Sequence, residues 1–325
     1  MPDFKNILVT GGAGFIGSNL VEALLSDERV GLVRVLDDLS NGYFENIAEF
    51  LGNPKFEFIK GDICDFQICI NAMKGINLVS HQAALGSVPR SIENPMRSTA
   101  VNILGTVNIL KACVDEKVER VILACSSSTY GDHPDLPKVE DKTGNPLSPY
   151  AVTKKCVEDF AQVFQRTFGL NYIGLRYFNV FGPKQNLNNP YAAVIPLFCK
   201  AFIENQPPTV NGDGETSRDF TYVDNAVQAN LLALFTKNEK SLNEIYNVAC
   251  GEQTTLNEMV DLLNQISNLQ LRPDYTEERK GDVKHSLASI DKAVVNLKYK
   301  PEIKFNEGLA AVFNWYLTTI SQTSD

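Results

Sequence analysis

A tyrosine and a lysine stand four residues apart in the segment Tyr150-Ala151-Val152-Thr153-Lys154. Ser148 and Pro149 come directly before it, and a serine followed by a proline is typical of the first residues of a helix. In a helix the two side chains lie on one face, where the lysine cation stabilises the phenolate form of the tyrosine. Such a tyrosine is able to remove a proton from a hydroxyl group near neutral pH. The spacing alone also fits an amphipathic surface helix.

Three serines, Ser126 to Ser128, directly follow the apolar run Val121–Cys125. That run predicts a buried strand, and ligands of parallel sheets bind beyond the carboxyl ends of the strands. Serine hydroxyls at this place are able to hydrogen-bond a reacting oxygen. The alternative interpretation is a polar loop without a catalytic role.

A glycine-rich segment, Thr10-Gly11-Gly12-Ala13-Gly14-Phe15-Ile16-Gly17, follows the first apolar run of the chain. Between a strand and a helix, such glycines let the backbone approach a pyrophosphate at the helix N-terminus. Asp37 lies twenty residues beyond Gly17, at the end of the second predicted strand. A carboxylate there holds the adenosine ribose hydroxyls and repels a 2′-phosphate, which favours NAD over NADP. Alternatively, Asp37 and Asp38 begin a solvated turn.

Short apolar runs alternate with amphipathic stretches in the first half of the chain. The runs predicted as strands are Ile7–Thr10, Leu32–Leu36, Phe56–Ile59, Leu78–Ser80, Val121–Cys125 and Tyr172–Leu175, with Glu244–Val248 further on. The predicted helices include Gly17–Leu25, Thr99–Val114, Pro149–Phe168, Val223–Phe235 and Leu256–Ser267. This alternation predicts an α/β fold: a doubly wound parallel sheet of the Rossmann type, with a smaller C-terminal lobe for a substrate.

The alternation of apolar runs and amphipathic stretches stops after about Phe181. A Pro/Asn-rich loop and the turn Gly212-Asp213-Gly214 follow. The helix and strand predicted within residues 223–250 are expected to pack with the first domain. We therefore expect residues 1–180 plus about 223–250 to form the NAD-binding domain. Residues from about 181 to 222, together with 251–325, form the second lobe.

Composition excludes several classes of function. The net charge of −9 argues against a nucleic-acid partner. No apolar stretch reaches the ~20 residues of a membrane helix, and no signal segment opens the chain, so we expect a cytoplasmic protein with no membrane partner. The seven scattered cysteines form no CxxC pair, and the three histidines lack ligand spacing. The sequence therefore predicts neither a metal site nor a disulfide framework.

Taken together, these motifs resemble those of the extended short-chain dehydrogenases/reductases, and among them the nucleotide-sugar 4-epimerases. The resemblance runs from residue 7 to about residue 317, and it includes Gly61-Asp62-Ile63, Leu175–Asn179, Arg218-Asp219 and Arg279–Asp282. Gly86–Ser91, Ser126–Pro134 and Gly281–Ser286 are more closely similar to the bacterial UDP-N-acetylglucosamine 4-epimerases of surface-polysaccharide synthesis.

The resemblance implies an NAD-dependent enzyme that interconverts UDP-N-acetylglucosamine and UDP-N-acetylgalactosamine. Tyr150 takes the 4-hydroxyl proton while NAD takes hydride from C4. The 4-keto sugar then rotates, and the hydride returns to its opposite face. Ser126 hydrogen-bonds the sugar 4-oxygen with Ser128 as a helper. Lys154 tunes Tyr150 and holds the nicotinamide ribose.

The implied binding residues form two sets. Those for NAD are Gly11, Gly14, Phe15, Ile16, Gly17, Asp37, Asp62, Ile63, Gln82, Ala83, Ala84, Asn102, Tyr150, Lys154 and Tyr177. Those for the UDP-sugar are Ser87, Ser126, Ser127, Tyr150, Asn179, Val194, Asn211, Arg218, Arg279, Asp282 and Ser286. Within the second set, Asn179, Arg218 and Arg279 are implied to hold the diphosphate. Asp282 lies on the uridine side and Ser286 near C2 of the sugar.

One departure from the family is visible, because galactose-type epimerases carry a lysine where this chain has Gly86. Serines at 127 and 128 replace the acidic residues of the sugar dehydratases and decarboxylases, which ranks those activities below epimerisation. A non-catalytic NAD-sensing protein is a further alternative. The sugar itself stays open between the N-acetylhexosamine, its uronic acid and unacetylated glucose. Helices Thr99–Val114 and Pro149–Phe168 match those that pair in family dimers, so the resemblance also implies a homodimer.

Overall fold

The computed structural model describes residues 4–187, 193–278 and 284–322, with no side-chain detail for residues 320–322. Thirteen strands occur in these ranges. They are β1 Lys5–Thr10, β2 Val30–Asp37, β3 Phe56–Lys60, β4 Leu78–His81, β5 Arg120–Ser126, β6 Tyr172–Tyr177, β7 Val180–Phe181, β8 Thr209–Asn211, β9 Ser217–Arg218, β10 Thr221–Tyr222, β11 Glu244–Val248, β12 Thr254–Thr255 and β13 Asp274–Thr276.

Twelve α-helices alternate with these strands in the described ranges. They are α1 Phe15–Leu25, α2 Glu45–Ala48, α3 Phe66–Met73, α4 Val88–Glu93, α5 Pro95–Thr99, α6 Thr106–Asp115, α7 Pro149–Phe168, α8 Val194–Ile203, α9 Val223–Phe235, α10 Leu256–Ser267, α11 Asp291–Leu297 and α12 Phe305–Gln322. Residues Ala100–Gly105 form a π-helix, and Ser127–Tyr130 and Glu239–Ser241 form 3₁₀ turns.

Seven strands form one sheet in the order β11-β6-β5-β4-β1-β2-β3, and every neighbouring pair is parallel. The chain starts in the middle with β1, moves outward through β2 and β3, and then returns to β4 on the other side. This confirms the predicted doubly wound parallel sheet. The point where the strand order reverses lies between β1 and β4, where such folds bind dinucleotides.

Helices cover both faces of this sheet, which is why its strands are apolar almost throughout. Side chains alternate along β1: Ile7 and Val9 belong to one hydrophobic core, and Leu8 belongs to the other. The first core includes α1 and α9, and the second includes α3, α6 and α7. The positions at the carboxyl ends of the strands are thereby fixed from both sides.

Three two-stranded sheets lie outside the main one and join β7 to β10, β8 to β13 and β9 to β12. They belong to segments that the sequence analysis assigns mostly to the second lobe. The exact division of the chain into an NAD-binding domain and a substrate lobe stays a prediction.

The stretch predicted as helical over Thr99–Val114 is helical throughout, but it is not one α-helix. The structure divides this stretch into the end of α5, the π-helix Ala100–Gly105 and α6. Asn102 and Thr106 both turn inward here, and the Thr106 hydroxyl donates to the Asn102 carbonyl at 2.7 Å. The wider π turn brings two polar side chains toward the carboxyl ends of the strands, and such local widening is common near functional sites.

Candidate active site

A cavity of about 520 Å³ lies along the carboxyl ends of the central strands. At one end it is lined by Asp37 and Asp62, and at the other by Tyr150 and Lys154. The predicted cofactor residues that line it are Gly11, Gly14, Phe15, Ile16, Gly17, Asp37, Asp62, Ile63, Gln82, Ala83, Ala84, Tyr150, Lys154 and Tyr177. Asn102 is the one predicted cofactor residue that does not line it.

The glycine-rich turn makes an open floor for this cavity. Gly11 has φ +68°, and a Cβ on it would lie 2.7 Å from the backbone of Ala83. A Cβ on Gly17 would lie 2.1 Å from the Gly11 carbonyl oxygen. Larger residues at these two positions would break the turn, so the glycines are required by close backbone approach. The turn leads into α1, whose first N–H groups suit an anionic diphosphate.

Asp37 is buried at the end of β2. Its carboxylate accepts the Ala13 N–H at 2.9 Å and the Leu39 N–H at 2.8 Å. Burial raises the pKa of Asp37, and these two N–H donors act against that shift. Because a carboxylate has about four acceptor sites, capacity remains for ribose hydroxyls. The solvated-turn interpretation does not describe Asp37, which also shapes the glycine turn.

Asp62 faces an arginine that the sequence analysis missed. Arg97 lies 3.1 Å from the Asp62 carboxylate and 3.6 Å from that of Asp38, and both acids line the cavity. Burial tends to raise the pKa of Asp62, but hydrogen bonds from Cys64 and Arg97 lower it overall. Arg97 comes from α5, far from both acids in sequence, so no local motif indicates the contact.

A buried polar layer supports the middle of the cavity. His81 lies between the hydroxyls of Thr10 at 2.7 Å and Thr106 at 2.9 Å. Burial lowers the pKa of His81 to about 3, so its ring is neutral. Asn102 holds both the N–H and the carbonyl of Leu85, at 2.8 and 3.2 Å. It therefore supports the cavity wall from behind.

The side chains of Gln82, Tyr177 and Asn230 form a group of three that are hydrogen-bonded to one another. The Tyr177 hydroxyl donates to the Gln82 side-chain oxygen at 3.2 Å and accepts from the Asn230 amide at 2.8 Å. Gln82 in turn donates to Asn230 at 3.0 Å. Asn230 lies on α9 and carries no local signature, which explains why sequence reasoning did not find it.

The helix α7 begins as predicted, with the Ser148 hydroxyl accepting the Ala151 N–H at 3.1 Å and Pro149 in its first turn. The Lys154 ammonium donates to the Ala124 carbonyl at 2.7 Å and lies 5.9 Å from the centre of the Tyr150 ring. Lys154 is only 5% exposed. A hydrogen bond from β5 thus fixes this cation beside the phenol.

Ser126 is the last residue of β5, and Ser127 and Ser128 follow it directly. The Ser128 hydroxyl donates to the Ser126 hydroxyl at 2.9 Å, and all three serines line the cavity together with Tyr150. With its own oxygen receiving this bond, Ser126 has its proton available for a further acceptor. Phenol, ammonium and hydroxyls therefore meet in one place, an arrangement suited to proton transfer at an alcohol or carbonyl oxygen.

A buried ion pair lies under this wall. The Arg176 guanidinium on β6 donates twice to the Glu158 carboxylate on α7, each time at 2.8 Å, and both side chains are under 5% exposed. The Glu158 carboxylate also accepts from Thr129 at 3.4 Å, and Arg176 lies over the Tyr130 ring at 4.8 Å. Glu158 follows Lys154 by four residues, so helical spacing could have indicated its position.

A second cavity, of about 260 Å³, shares Asn179 and Val180 with the first. Val194, Asn211 and Arg218, all predicted to bind substrate, line it. The Asn179 amide donates to the Asp219 carbonyl at 2.9 Å. The two cavities therefore meet at Asn179 and Val180.

Asp219 holds the segments around this second cavity together. Its carboxylate accepts N–H groups from Cys250 at 2.9 Å, Gly251 at 3.1 Å and Ala288 at 3.2 Å. Burial raises the pKa of Asp219 to about 7, while these N–H donors act to lower it. The contact fixes Arg218 relative to the segment that carries Ser286.

The remaining predicted substrate residues have different positions. Ser286 is half-buried and its N–H donates to the Ser217 carbonyl at 3.1 Å, next to Arg218, but it lines neither cavity. Ser87 lines neither cavity and caps α4, with φ +101°. Arg279 and Asp282 lie outside the described residues.

Two features are absent from residues 4–187, 193–278 and 284–322. These ranges contain no group of three or more His, Cys, Asp or Glu side chains that could hold a metal ion. Among the helices in the same ranges, none has the length and apolarity needed to cross a bilayer.

Comparison with known proteins links this geometry to one family. Residues 7–249 match the NAD dependent epimerase/dehydratase family. A putative UDP-glucose 4-epimerase of Methanocaldococcus jannaschii is 39% identical over 312 residues, which cover 95% of this chain and 97% of that relative.

Two solved structures superpose closely. The UDP-N-acetylglucosamine 4-epimerase from Methanobrevibacter ruminantium M1, in complex with UDP-N-acetylmuramic acid, is 38% identical with a TM-score of 0.91, covering 98% of this chain and 99% of that one. The UDP-glucuronic acid 4-epimerase from Bacillus cereus, in complex with UDP-glucuronic acid and NAD, is 32% identical with a TM-score of 0.89, covering 97% and 99%.

Proposed function

The chain belongs to the NAD dependent epimerase/dehydratase family, and from that premise we propose that it interconverts UDP-N-acetylglucosamine and UDP-N-acetylgalactosamine. Its relatives include 4-epimerases of several UDP-sugars, and this chain is likewise an NAD-dependent UDP-sugar 4-epimerase. The observation that supports the proposal most is the meeting of the two cavities beside Tyr150, Lys154 and the serines.

The residues of the first cavity fit NAD. A carboxylate stands at the adenosine end, an open glycine turn at the middle and a buried lysine at the nicotinamide end. When bound, NAD supplies a reversible acceptor for the hydride on C4 of the sugar. Ala83, Gln82 and Tyr177 form the wall between the glycine turn and the catalytic helix. The protein's part is to hold the sugar so that either face of C4 is presented.

Tyr150 is proposed as the group that takes the proton from the 4-hydroxyl and later gives it back. The Lys154 cation, fixed by the Ala124 carbonyl, stabilises the phenolate. Ser126 donates to the sugar 4-oxygen, and Ser128 supplies the hydrogen bond that orients it. A proton held and returned by one tyrosine fits a reaction whose substrate and product differ only in configuration.

The second cavity is proposed to hold the nucleotide part of the substrate. Arg218 offers a fork of N–H donors that suits a diphosphate, and Asn179, Val194 and Asn211 surround the same space. Arg279 and Asp282 are proposed to complete it. We also propose that the NAD-binding domain and the substrate lobe divide at the boundaries predicted from the sequence.

The choice of the acetylated sugar rests on Ser286. A serine leaves room near C2 that a tyrosine would fill, so a 2-acetamido group is able to turn with the 4-keto sugar. Ser286 lies next to Arg218 in the structure, because the Ser286 N–H donates to the carbonyl of Ser217. UDP-glucose and the uronic acid of UDP-N-acetylglucosamine are the competing substrates.

The test is incubation of the enzyme with UDP-N-acetylglucosamine, its uronic acid and UDP-glucose, with products identified by NMR. We expect the highest kcat/KM for the N-acetylhexosamine pair. Ser286→Tyr should lower that value ~10-fold or more while sparing UDP-glucose, because the ring excludes the acetyl group. Ser286→Ala is the matched control and should keep the acetylated substrates. Equal use of them by the tyrosine variant would show that Ser286 is not the gate.

We further propose that the enzyme is a homodimer. The π-helix and α7 pack against one another and expose large apolar side chains, including Leu104 at 50%, Val152 at 47% and Val163 at 52%. Exposed apolar surface of this kind is typical of a subunit contact.

A further inference from the structure

The strand order places two loops on either side of the glycine-rich turn. β1 lies between β4 and β2 in the sheet. The loop that follows β2 and the helix α4 that follows β4 must therefore flank the turn that follows β1. A contact from one flank to the other has to cross above the glycine turn, where the proposed NAD diphosphate would lie.

Such a contact is present. The Arg90 guanidinium on α4 donates through both terminal nitrogens to the Asn41 side-chain oxygen, at 3.0 and 3.1 Å. Asn41 itself lines the cofactor cavity. Among the described residues that line this cavity, Lys154 is the only lysine or arginine. Arg90 does not line the cavity, and its bonds to Asn41 place its cation at the cavity mouth.

Both ends of this bridge are anchored. Behind Asn41, the Tyr43 N–H and the Asn46 amide both donate to the Ala13 carbonyl in the glycine turn, at 3.0 and 2.9 Å. Behind Arg90, the buried Ser91 hydroxyl accepts the N–H of Tyr150 at 3.0 Å. The bridge thus connects the glycine turn to the first residues of the catalytic helix.

We propose that Arg90 and Asn41 form a strap that retains NAD during turnover. A 4-epimerase must keep its reduced cofactor until the keto-sugar has turned, because escape at that point ends the cycle without product. Gly86, in the same wall, has no side chain, and nothing lies within 4 Å of where its Cβ would be. The wall is open there, and the Arg90 side chain spans the mouth instead.

The inference rests on the proposed placement of NAD, but its test needs no UDP-sugar. Enzyme loaded with radiolabelled NAD is mixed with excess unlabelled NAD, and the label that stays bound is followed by rapid gel filtration. Arg90→Ala and Asn41→Ala should each release NAD about three- to tenfold faster, as expected for a lost charge-assisted hydrogen bond that is partly exposed to water. Arg90→Lys should recover part of the loss.

The double variant Arg90→Ala/Asn41→Ala decides whether the two residues act together. A strap predicts release no faster than in the more affected single variant, since either change removes the same bond. Multiplied effects would mean that the two residues act separately, and the strap would be wrong. Release within twofold of wild type in either single variant would also overturn it. Arg272→Ala, at an exposed arginine after α10, is the charge-matched control and should leave release unchanged.

A second readout separates retention from chemistry. Turnover per bound NAD should fall by less than retention does, and product yield at low NAD concentration should fall with retention. This holds whichever UDP-sugar is the best substrate. Failure of the N-acetylhexosamine proposal would therefore leave the strap intact, and failure of the strap would leave the substrate proposal intact.

Discussion

Tyr150 and Lys154 lie on one helix, α7, and both make contacts outside it. The Lys154 ammonium bonds to the Ala124 carbonyl on β5, and the Tyr150 N–H bonds to Ser91 on α4. These two bonds fix the Lys154 side chain and the backbone of Tyr150. The buried Lys154 ammonium therefore lies 5.9 Å from the centre of the Tyr150 ring.

Tyr150→Phe tests this assignment directly. The variant removes only the hydroxyl, so turnover should fall by ~10²-fold or more, as expected for loss of a positioned acid/base. NAD should remain bound, because the ring and Lys154 stay in place. Turnover is measured with UDP-N-acetylglucosamine and bound NAD by absorbance after denaturation.

The matched control is Tyr275→Phe, which removes a hydroxyl from an exposed tyrosine on β13. Its turnover should equal that of wild type. If Tyr150→Phe stays within a few-fold of the control, another group carries the proton.

At the scale of single residues, the sequence predicted which residues line the cavity where one strand end or one helical spacing fixes their position. Ser126 and Asp37 lie at the cavity because each ends a strand, and the glycines lie there because they follow one. Arg90, Arg97 and Asn230 were missed, because each acts through a contact with a residue distant in sequence. Ser286 and Ser87 line neither cavity, and only the folded structure shows that.

Among the elements, α7 provides Tyr150 and Lys154, the two residues proposed for proton transfer. Tyr150, Lys154 and Glu158 repeat at four-residue intervals along it, and Glu158 binds Arg176 on β6. Thr129 and Tyr130, directly after the serines, contact the same pair. The pair therefore joins the catalytic helix to the serine turn. The sequence predicted the bounds of α7 correctly because its serine cap and terminal glycine are local signals.

Glu158→Gln should be strongly destabilising. It leaves the Arg176 charge buried without a counter-ion, which costs about 3–5 kcal/mol of unfolding free energy. The double variant Glu158→Leu/Arg176→Met should recover most of that loss, because an apolar pair of similar volume often replaces a buried ion pair at little cost. Stability is measured by urea denaturation.

Catalysis should not recover with stability. In the double variant, Thr129 loses its bond to Glu158 and Tyr130 loses its contact with Arg176, so Ser126 and Ser128 are held less firmly. We expect kcat about tenfold below wild type, with KM for the UDP-sugar within threefold, since misplacement of a catalytic group affects mainly the chemical step. Full activity in a stable double variant would mean that the ion pair is only scaffold.

The stretch from Thr99 to Asp115 shows what patterns cannot predict about elements. Its apolar spacing fits one helix, and the sequence predicted one. The π-helix at Ala100–Gly105 arises because Asn102 must reach Leu85 and Thr106 must reach His81. Those demands come from β4 and the loop after it, so the hydrophobic period of the segment does not contain them.

For the molecule as a whole, strand–helix alternation was enough to predict the parallel sheet, because crossover connections leave few alternatives. The apolar pattern of residues 244–248 also predicted a strand, and the structure places this strand, β11, at the sheet edge beside β6. The segments that we assign to the second lobe were harder to predict, because the two-stranded sheets there consist of strands of only two or three residues. Such strands carry too few side chains for a periodic signal.

The exposed apolar surface around α7 belongs to this largest scale, since a second copy is what would cover it. We expect wild-type protein to be a dimer by light scattering. Leu104→Arg/Val163→Arg introduces two charges on each copy, and burying them without partners is costly. The dissociation constant should rise ~10²-fold or more, which gives monomers at micromolar concentration.

Val295→Arg, at a side chain 64% exposed on α11, is the control and should stay dimeric. If Val295→Arg breaks the dimer and Leu104→Arg/Val163→Arg does not, the subunits meet through the face of α11; if the wild type is a monomer, the apolar surface of α7 needs another partner.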